Sequence, residues 1–386
     1  MKIVIAPDSF KGSLTAMEAA TAIDRGVKNA YPLANTSLIP MADGGEGTLE
    51  TLVDATDGFT KQVQVKGPIG DKVEATYGIL GDNKTCIIEM ASASGIVLVP
   101  EGKLNPLITT TFGTGELIRH ALDEGYRTFI LAIGGSATND GGAGMLQALG
   151  LHLLDEKGQS VGFGGGSLRD IHRIDAKGFD ERIKESSFLI ASDVENPLIG
   201  PNGASHVFGP QKGASQEDVA LLDSQLTHWA DKVEETTGIQ IHDKPGAGAA
   251  GGIGGAFQAF FPSRVERGID VVINYTKLKE NLVEADLVLT GEGQVDSQTA
   301  SGKTPMGVAQ TAQNLGVPTI VMAGSIGPGI ELLYQFGIVS AHSIVNSPMK
   351  LETAIKEASF LLEKSTEQVV RSYFHNHVPQ LQGGSV

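Results

Sequence analysis

An alternation of short β-rich runs with helical segments occurs at both ends of the chain and constrains its fold more than any other feature. The elements predicted near the N-terminus are strands at 2–6 and 37–41 and helices at 16–30 and 48–55. Thr15 and Glu18, three positions apart, form a capping box that predicts the start of the first helix. This β–α–β–α order is typical of a mostly parallel sheet.

The same order returns near the C-terminus, with strands predicted at 285–290 and 318–323 and a helix at 305–315. Two matching segments so far apart predict one discontinuous domain with an insertion. We therefore expect an α/β protein of two domains. Their predicted limits are 1–75 with 285–378, the inserted α/β domain 76–284, and a flexible tail at 379–386.

Composition excludes several classes of protein. The net charge of −16, with no run of Lys and Arg, argues against a nucleic-acid partner. Cys86 is the single cysteine and supports no internal disulfide. No charged start leads into an apolar run, and no stretch of 18 apolar residues predicts a membrane span. We therefore expect a cytoplasmic protein without a membrane partner.

Four loops are expected at the carboxyl edge of the predicted sheet, at 7–12, 42–47, 291–296 and 323–327. Each strand is expected to stop where its loop begins. The loops hold carboxylates, hydroxyls, glycines and a lysine, a mixture that suits magnesium and phosphate chemistry. The alternative is that Asp8, or Asp43 with Glu46, only caps the following helix.

Three further segments have two interpretations each. Lys303 lies in a segment that resembles the end of a phosphate-binding P-loop, but Ser297 occupies the position of a glycine that the motif requires. Lys303 is therefore either a point charge that binds phosphate or a surface lysine. The loop at 134–142 either binds phosphate through its backbone or is a tight turn. Asp193 either accepts the proton of an attacking hydroxyl or forms a turn.

The glycine pattern at 246–251 matches the dinucleotide fingerprint, but the preceding residues predict no strand. This disfavours a nicotinamide site. A loop that packs against nucleotide phosphates, or a close contact between domains, fits the pattern better.

Taken together, these segments resemble the bacterial type I glycerate kinase family. The resembling stretches run in order through nearly the whole chain, at 6–14, 40–48, 112–117, 133–144, 193–198, 208–213, 245–252, 290–296 and 302–305. This chain has Ser192 and Phe112 where the family pattern has Cys and Tyr, and we expect these differences to alter packing more than chemistry.

The resemblance implies a flavodoxin-like domain made of both chain ends, an inserted restriction-enzyme-like domain, and an active site in the cleft between them. It also implies transfer of phosphate from ATP, with Mg²⁺, to D-glycerate. The product implied is 2-phosphoglycerate, with 3-phosphoglycerate left open.

The site residues follow from the matching motifs. We expect Asp193 and Lys11 to be catalytic. The residues expected to bind substrate are Asp8, Ser9, Asp43, Gly44, Gly45 and Glu46. Those expected to bind nucleotide or phosphate are Gly135, Ser136, Thr138, Asn139, Gly248 and Lys303. Glu292 and Asp296 are the expected metal ligands.

Two other functions compete with this one. The pattern at 246–251 suggests an NAD-dependent hydroxy-acid oxidoreductase, and the fold would also suit a non-catalytic sugar-acid sensor. The oligomeric state stays open between a monomer and a homodimer.

Overall fold

The computed structural model of the protein describes residues 1–297, 299 and 303–375. Gly302 and the predicted tail at 379–386 lie outside the described residues. The chain divides into two compact units. We call residues 1–43 with 272–386 the terminal unit and residues 44–271 the central unit.

The strands are β1 (Lys2–Ile5), β2 (Asn35–Leu38), β3 (Phe59–Lys66), β4 (Lys72–Ile79), β5 (Thr85–Glu89), β6 (Thr128–Ala132), β7 (His152–Leu154), β8 (Arg173–Asp175), β9 (Ser187–Ala191), β10 (Ser263–Glu266), β11 (Leu287–Val295), β12 (Thr319–Ile326) and β13 (Ile338–Ser343). The helices are α1 (Ala16–Ala30), α2 (Thr48–Ala55), α3 (Ala91–Ser94), α4 (Phe112–Asp123), α5 (Ala143–Ala148), α6 (Ala204–Phe208), α7 (Gln216–Thr237), α8 (Ala249–Phe260), α9 (Gly268–Tyr275), α10 (Leu278–Leu282), α11 (Thr304–Gln313), α12 (Leu351–Lys356) and α13 (Ala358–Tyr373).

The sheet of the terminal unit has the order β2-β1-β11-β12-β13 in the described part of the chain. All four pairings are parallel. Numbered within this unit alone, the order is 2-1-3-4-5, as in flavodoxin-like sheets. The two chain ends therefore form one sheet, as the repeated pattern predicts.

Helix α1 covers one face of this sheet and begins where the capping box predicts. The Thr15 hydroxyl accepts a hydrogen bond from the Glu18 backbone N–H at 3.2 Å, and the Glu18 carboxylate accepts from the Thr15 N–H at 2.9 Å. Gly26 lies against α13, where a β-carbon would come within 2.4 Å of the Glu363 carbonyl oxygen. The helices pack closely because this position has no side chain.

Strands β11 and β12 are longer than predicted, and the expectation that they stop at Gly291 and Gly324 was wrong. Both continue past these glycines, with Glu292 opposite Ala323 and Val295 opposite Ile326. A β-carbon at Gly291 would lie 1.9 Å from the Met322 carbonyl oxygen, and one at Gly324 would lie 2.4 Å from the Gly293 carbonyl oxygen. These glycines allow close approach of the two strands rather than ending them.

The central unit contains a mixed sheet of order β10-β9-β6-β5-β4-β3 among the described residues. The pairs β3–β4 and β4–β5 are antiparallel, and the other three pairs are parallel. Its core is aromatic at one end: the rings of Phe129 and Phe188 stack with centroids 4.8 Å apart, and Phe261 meets Phe188 edge to face.

The units divide after Asp43 and before Val272, whereas the sequence suggested divisions after residues 75 and 284. Pairing of strands explains the first difference. Strand β3 pairs along its whole length with β4, and β4 pairs with β5 in the central sheet. Residues 59–79 thus form consecutive antiparallel pairs with the strand that follows them, and β5 joins these pairs to the rest of the central sheet.

Candidate active site

Two acidic side chains of the terminal unit lie where the order of its strands reverses. Strands β1 and β11 are neighbours, and the chain continues from them to opposite edges of the sheet. Asp8 follows β1, and Glu292 lies in the second half of β11. Open parallel sheets bind ligands at such a reversal, beyond the carboxyl ends of the strands.

A cavity of about 590 Å³ opens at this position. Its volume falls within the range of roughly 300–1,000 Å³ that is usual for small-molecule sites. Six of the residues predicted from the sequence line it, namely Asp8, Ser9, Lys11, Asp43, Glu292 and Lys303. Gly324 and Ser325 of the fourth predicted loop line it as well, so the structure brings residues of all four predicted loops into one site.

Asp8 is buried and held by two hydrogen bonds. Its Oδ1 accepts from the Ser9 backbone N–H at 2.6 Å, and its Oδ2 accepts from the Thr304 hydroxyl at 2.6 Å. Burial raises the pKa of Asp8 to about 7, and the negative charges of Asp43 and Glu292 add to this effect. The carboxyl group is fixed in position and titrates near neutral pH.

Glu292 is buried beside a cation. Its Oε1 accepts from the Thr299 hydroxyl at 2.8 Å, and its Oε2 lies 3.3 Å from Lys303 Nζ. Burial raises the pKa of Glu292, the Lys303 charge opposes the rise, and the Asp43 charge adds to it. Lys303 is also the N-cap residue of α11.

The chemistry of this set fits a magnesium ion. Asp8, Asp43 and Glu292 are close enough for their negative charges to disfavour one another, and a divalent cation would relieve this repulsion. Among the described residues, no three His, Cys, Asp or Glu side chains form a metal cage. Magnesium usually takes one or two carboxylates and completes its shell with phosphate oxygens and water, so it needs no such cage.

Asp296, the other expected metal ligand, is not among the described residues that line the cavity. Its Oδ2 accepts from Gln294 Nε2 at 2.9 Å, and its backbone N–H donates to the Thr299 hydroxyl at 3.2 Å. The Asp296 backbone and the Glu292 carboxylate therefore contact the same Thr299 hydroxyl.

In the central unit, glycines of separate loops meet at the carboxyl ends of β6 and β9. A β-carbon on Gly44 would lie 2.9 Å from Gly268 Cα and 3.3 Å from the Ala191 carbonyl oxygen, and one on Gly134 would lie 3.0 Å from Gly45 Cα. Asp193 lies exposed just beyond β9, and its charge adds to the effect of Asp270 in raising the pKa of Arg267.

The start of helix α2 is hydrogen-bonded by a distant side chain that the sequence pattern did not indicate. Its N-cap is Gly47, whose φ is 89° and which makes no side-chain hydrogen bond to the helix. The Glu89 carboxylate, at the end of β5, instead accepts from the Leu49 backbone N–H at 2.7 Å. Neither Asp43 nor Glu46 is this cap, and the start of α2 has an internal carboxyl partner.

Lys212 donates hydrogen bonds to the predicted phosphate loop at 134–142. This buried ammonium group donates to the Ser136 hydroxyl and to the Thr138 carbonyl oxygen, each at 2.7 Å. Asn139 donates to the Ser205 hydroxyl at 2.9 Å, so its amide group is engaged within the unit. Ser136 and Asn139 therefore have internal partners, while Gly135 is exposed.

The glycines around residue 248 serve close packing. A β-carbon on Gly248 would come within 2.1 Å of the Pro197 carbonyl oxygen, and one on Gly251 within 1.9 Å of the Thr138 carbonyl oxygen. The residues before Gly246 form no strand, so the dinucleotide fold is absent from this described segment. The close contact lies inside the central unit rather than between domains.

Comparison with known proteins identifies the family. The model of the glycerate kinase family matches residues 3–374. The chain belongs to the glycerate kinase family. A glycerate kinase of Halalkalibacterium halodurans is 51% identical over 367 residues, which are 95% of this chain and 97% of the relative. The glycerate 2-kinase of Escherichia coli K12 is 49% identical over 93% of this chain and 94% of the relative.

A solved structure agrees with this membership. A crystal structure from Salmonella typhimurium LT2, assigned as a glycerate kinase 2, matches with a TM-score of 0.87 at 46% identity and covers 98% of this chain and 99% of that one. This glycerate kinase family member is therefore an enzyme, a kinase with a mixed α/β fold. Within the described residues, no helix is both long and apolar enough to cross a membrane.

Sequence reasoning missed several residues of the site. Thr304 and Thr299 hold Asp8 and Glu292, and Lys212 supports the loop at 134–142. Thr304 and Lys212 lie within stretches that resemble the family, which was the only signal for them. Glu89 gave no signal, because its partner is 40 residues away along the chain.

Proposed function

We propose that this enzyme transfers the γ-phosphoryl group of ATP to a hydroxyl of D-glycerate and releases 2-phosphoglycerate and ADP. Family membership supports glycerate as the acceptor, and the name of the Escherichia coli relative supports the 2-hydroxyl. The observation that carries the proposal is the cavity with three mutually repelling carboxylates beside Lys11 and Lys303. ATP and glycerate are the partners, and the cytoplasmic location stays a prediction.

The proposed roles in the terminal unit follow from charge. Lys11 and Lys303 would neutralise phosphate oxygens, since transfer depends mainly on positioning and on charge neutralisation. Glu292 would hold Mg²⁺ together with Asp43, and Asp296 stays the other predicted metal ligand. Bound Mg²⁺ would supply positive charge at the transferred group.

Two carboxylates compete for the role of base. Asp193 is the residue expected from the family motif, and its exposure beyond β9 would let a substrate reach it. Asp8 has a pKa raised by burial to about 7, which suits a base that works near neutral pH. Asp193 stays the predicted catalytic residue, and Asp8 is the alternative.

The remaining site residues stay predictions. Ser9 with Gly44, Gly45 and Glu46 would bind glycerate, and an exposed backbone at Gly135 is suited to an anion. Ser136, Thr138, Asn139 and Gly248 stay predicted residues of the nucleotide site; the Ser136 hydroxyl and the Asn139 amide nitrogen have internal partners.

Phosphorus NMR of a reaction with ATP, Mg²⁺ and D-glycerate tests the proposal. We expect ADP and a phosphomonoester coupled to the proton on carbon 2. A signal coupled to the carbon-3 protons would show that the 3-hydroxyl is phosphorylated instead. NADH formation in a parallel reaction with NAD, or glycerate binding without any ADP, would reject the kinase.

Substituting each carboxylate separates the candidate bases. Asp193→Asn and Asp8→Asn are compared for kcat and for KM of glycerate between pH 5 and 9. The base is the residue whose loss lowers kcat by about 100-fold or more and removes the acidic limb of the pH profile. A residue whose loss changes only KM binds substrate instead.

A further inference from the structure

The cavity of the terminal unit has a second, apolar end. Its wall consists of Ile344, Val345, Met349, Leu351, Ala354 and Ile355, which lie after β13 and in α12. We call this set the apolar wall. The carboxylates and lysines described above line the rest of the cavity, so its two ends differ in chemistry.

The apolar wall is partly open to water. Val345 is 38% exposed, Leu351 is 74% exposed and Ile355 is 40% exposed. Large apolar side chains grouped in this way around a cavity mark a surface that a ligand or partner covers. The wall is also tied to the acidic end, because the Ser13 hydroxyl, in the loop after β1, donates to the Ile355 carbonyl oxygen at 2.9 Å.

Glycerate cannot explain this wall. The acid has three carbons, each bearing oxygen, and the phosphates of a nucleotide are fully polar. The flat face of a nucleobase is the one large apolar surface that the two substrates of the proposed reaction offer. A cavity of about 590 Å³ also exceeds what a three-carbon acid needs.

We propose that the adenine base of the phosphate donor packs against the apolar wall, with its phosphates directed toward Lys11 and Lys303. This assignment rests on the proposed use of ATP. It places the adenine base in the terminal unit, on a segment in which the sequence patterns indicated no site.

Calorimetric titration with ADP alone tests the assignment in three variants of the full chain. Leu351→Asp puts a charge on the wall, Ala354→Phe fills the space beside it, and Leu33→Asp is the matched control, since Leu33 is 98% exposed in the same unit and does not line the cavity. We expect both wall variants to weaken ADP binding by about tenfold, and the control to leave it unchanged.

Steady-state kinetics supplies the second readout. The wall variants should raise KM for ATP by a similar factor and leave KM for glycerate unchanged. Unchanged ADP affinity and unchanged KM for ATP would overturn the proposed adenine site while leaving the kinase proposal intact. Absence of any turnover in the unsubstituted protein would reject the kinase proposal separately.

A second copy of the chain is the competing occupant of the wall. Light scattering of the same variants detects it. A fall in molar mass in Leu351→Asp, without any loss of ADP affinity, would make the wall a subunit interface and overturn the nucleotide assignment.

Discussion

At the scale of single residues, the acidic end of the cavity depends on hydroxyl groups that fix two of its carboxylates. Thr304 donates to Asp8 and Thr299 donates to Glu292, and all four side chains are buried. A buried carboxylate without partners would cost free energy or take up a proton. The hydroxyls therefore help to keep charge at the site where the proposed magnesium ion would bind.

Thr304→Val tests this positioning role. The change keeps the shape of the side chain and removes the donor to Asp8, so we expect kcat to fall by about tenfold, as for the loss of a hydrogen bond to a charged group. Thr311→Val is the control, because Thr311 lies in the same helix and donates only to the Gly307 carbonyl oxygen. Equal kcat values in the two variants would contradict the role.

Glu89 gives a pH-dependent contribution to stability. Burial raises its pKa from 4.5 to about 7, and the nearby Glu46 charge adds to the rise, while hydrogen bonds from the start of α2 oppose it. The folded state therefore holds a proton that the unfolded state has released between these values. Stability from this group is complete below about pH 4.5 and is lost as the pH rises through 7.

Urea unfolding at pH 5 and pH 8 measures this effect. We expect the free energy of unfolding to fall more between the two pH values in the unsubstituted protein than in Glu89→Gln, which cannot titrate. Parallel changes in the two proteins would show that Glu89 titrates normally in the folded state.

At the scale of elements, the pairing of β11 with β12 positions Glu292. The residue lies within the strand, opposite Ala323, rather than in a free loop. Its backbone is therefore held by the sheet, and a rigid strand places a side chain more accurately than a loop does. Gly291 and Gly324 make this extension compatible with close strand packing.

Gly291→Ala tests the close approach. The new β-carbon would meet the Met322 carbonyl oxygen at 1.9 Å, so the strands must separate, and we expect a loss of about 1–3 kcal/mol in the free energy of unfolding. Gly293→Ala is the matched control in the same strand, because its β-carbon has no neighbour nearer than 3.5 Å. Denaturant unfolding of both variants gives the comparison, and equal stabilities would contradict the packing argument.

At the scale of the whole molecule, the two units differ in how the chain builds them. The central unit is one continuous stretch with its own core, whereas the terminal unit joins β1 and α1 to elements more than 240 residues later. A continuous unit with a complete core can fold alone.

Expressing residues 44–271 alone tests this division. We expect a cooperative urea transition monitored by Trp229, which is fully buried in the core of the central unit. A fragment covering the limits inferred from the sequence, residues 76–284, lacks β3 and half of β4 and should lose stability or aggregate through the exposed edge of the shortened sheet. A stable 76–284 fragment with an unstable 44–271 fragment would favour the sequence-based limits.

The sequence by itself determined the elements and the class of chemistry. Helices α1 and α2 have the predicted bounds, since hydrophobic periodicity and, for α1, the capping box are local signals. The repeated pattern at the two chain ends predicted a parallel sheet, and the loop contents predicted acidic and cationic groups in one place. Glycerate as the acceptor came from the family resemblance and not from these patterns.

Tertiary structure alone decided which of these groups meet. Asp8 meets Thr304 across 296 positions of the chain, and the apolar wall comes from residues that carry no functional motif. Parallel pairing extended β11 past its glycines, and the burial that results shifts the pKa of Asp8 and of Glu292. Such effects depend on distances between remote segments, and these distances follow from packing of the whole sheet rather than from any local run of residues.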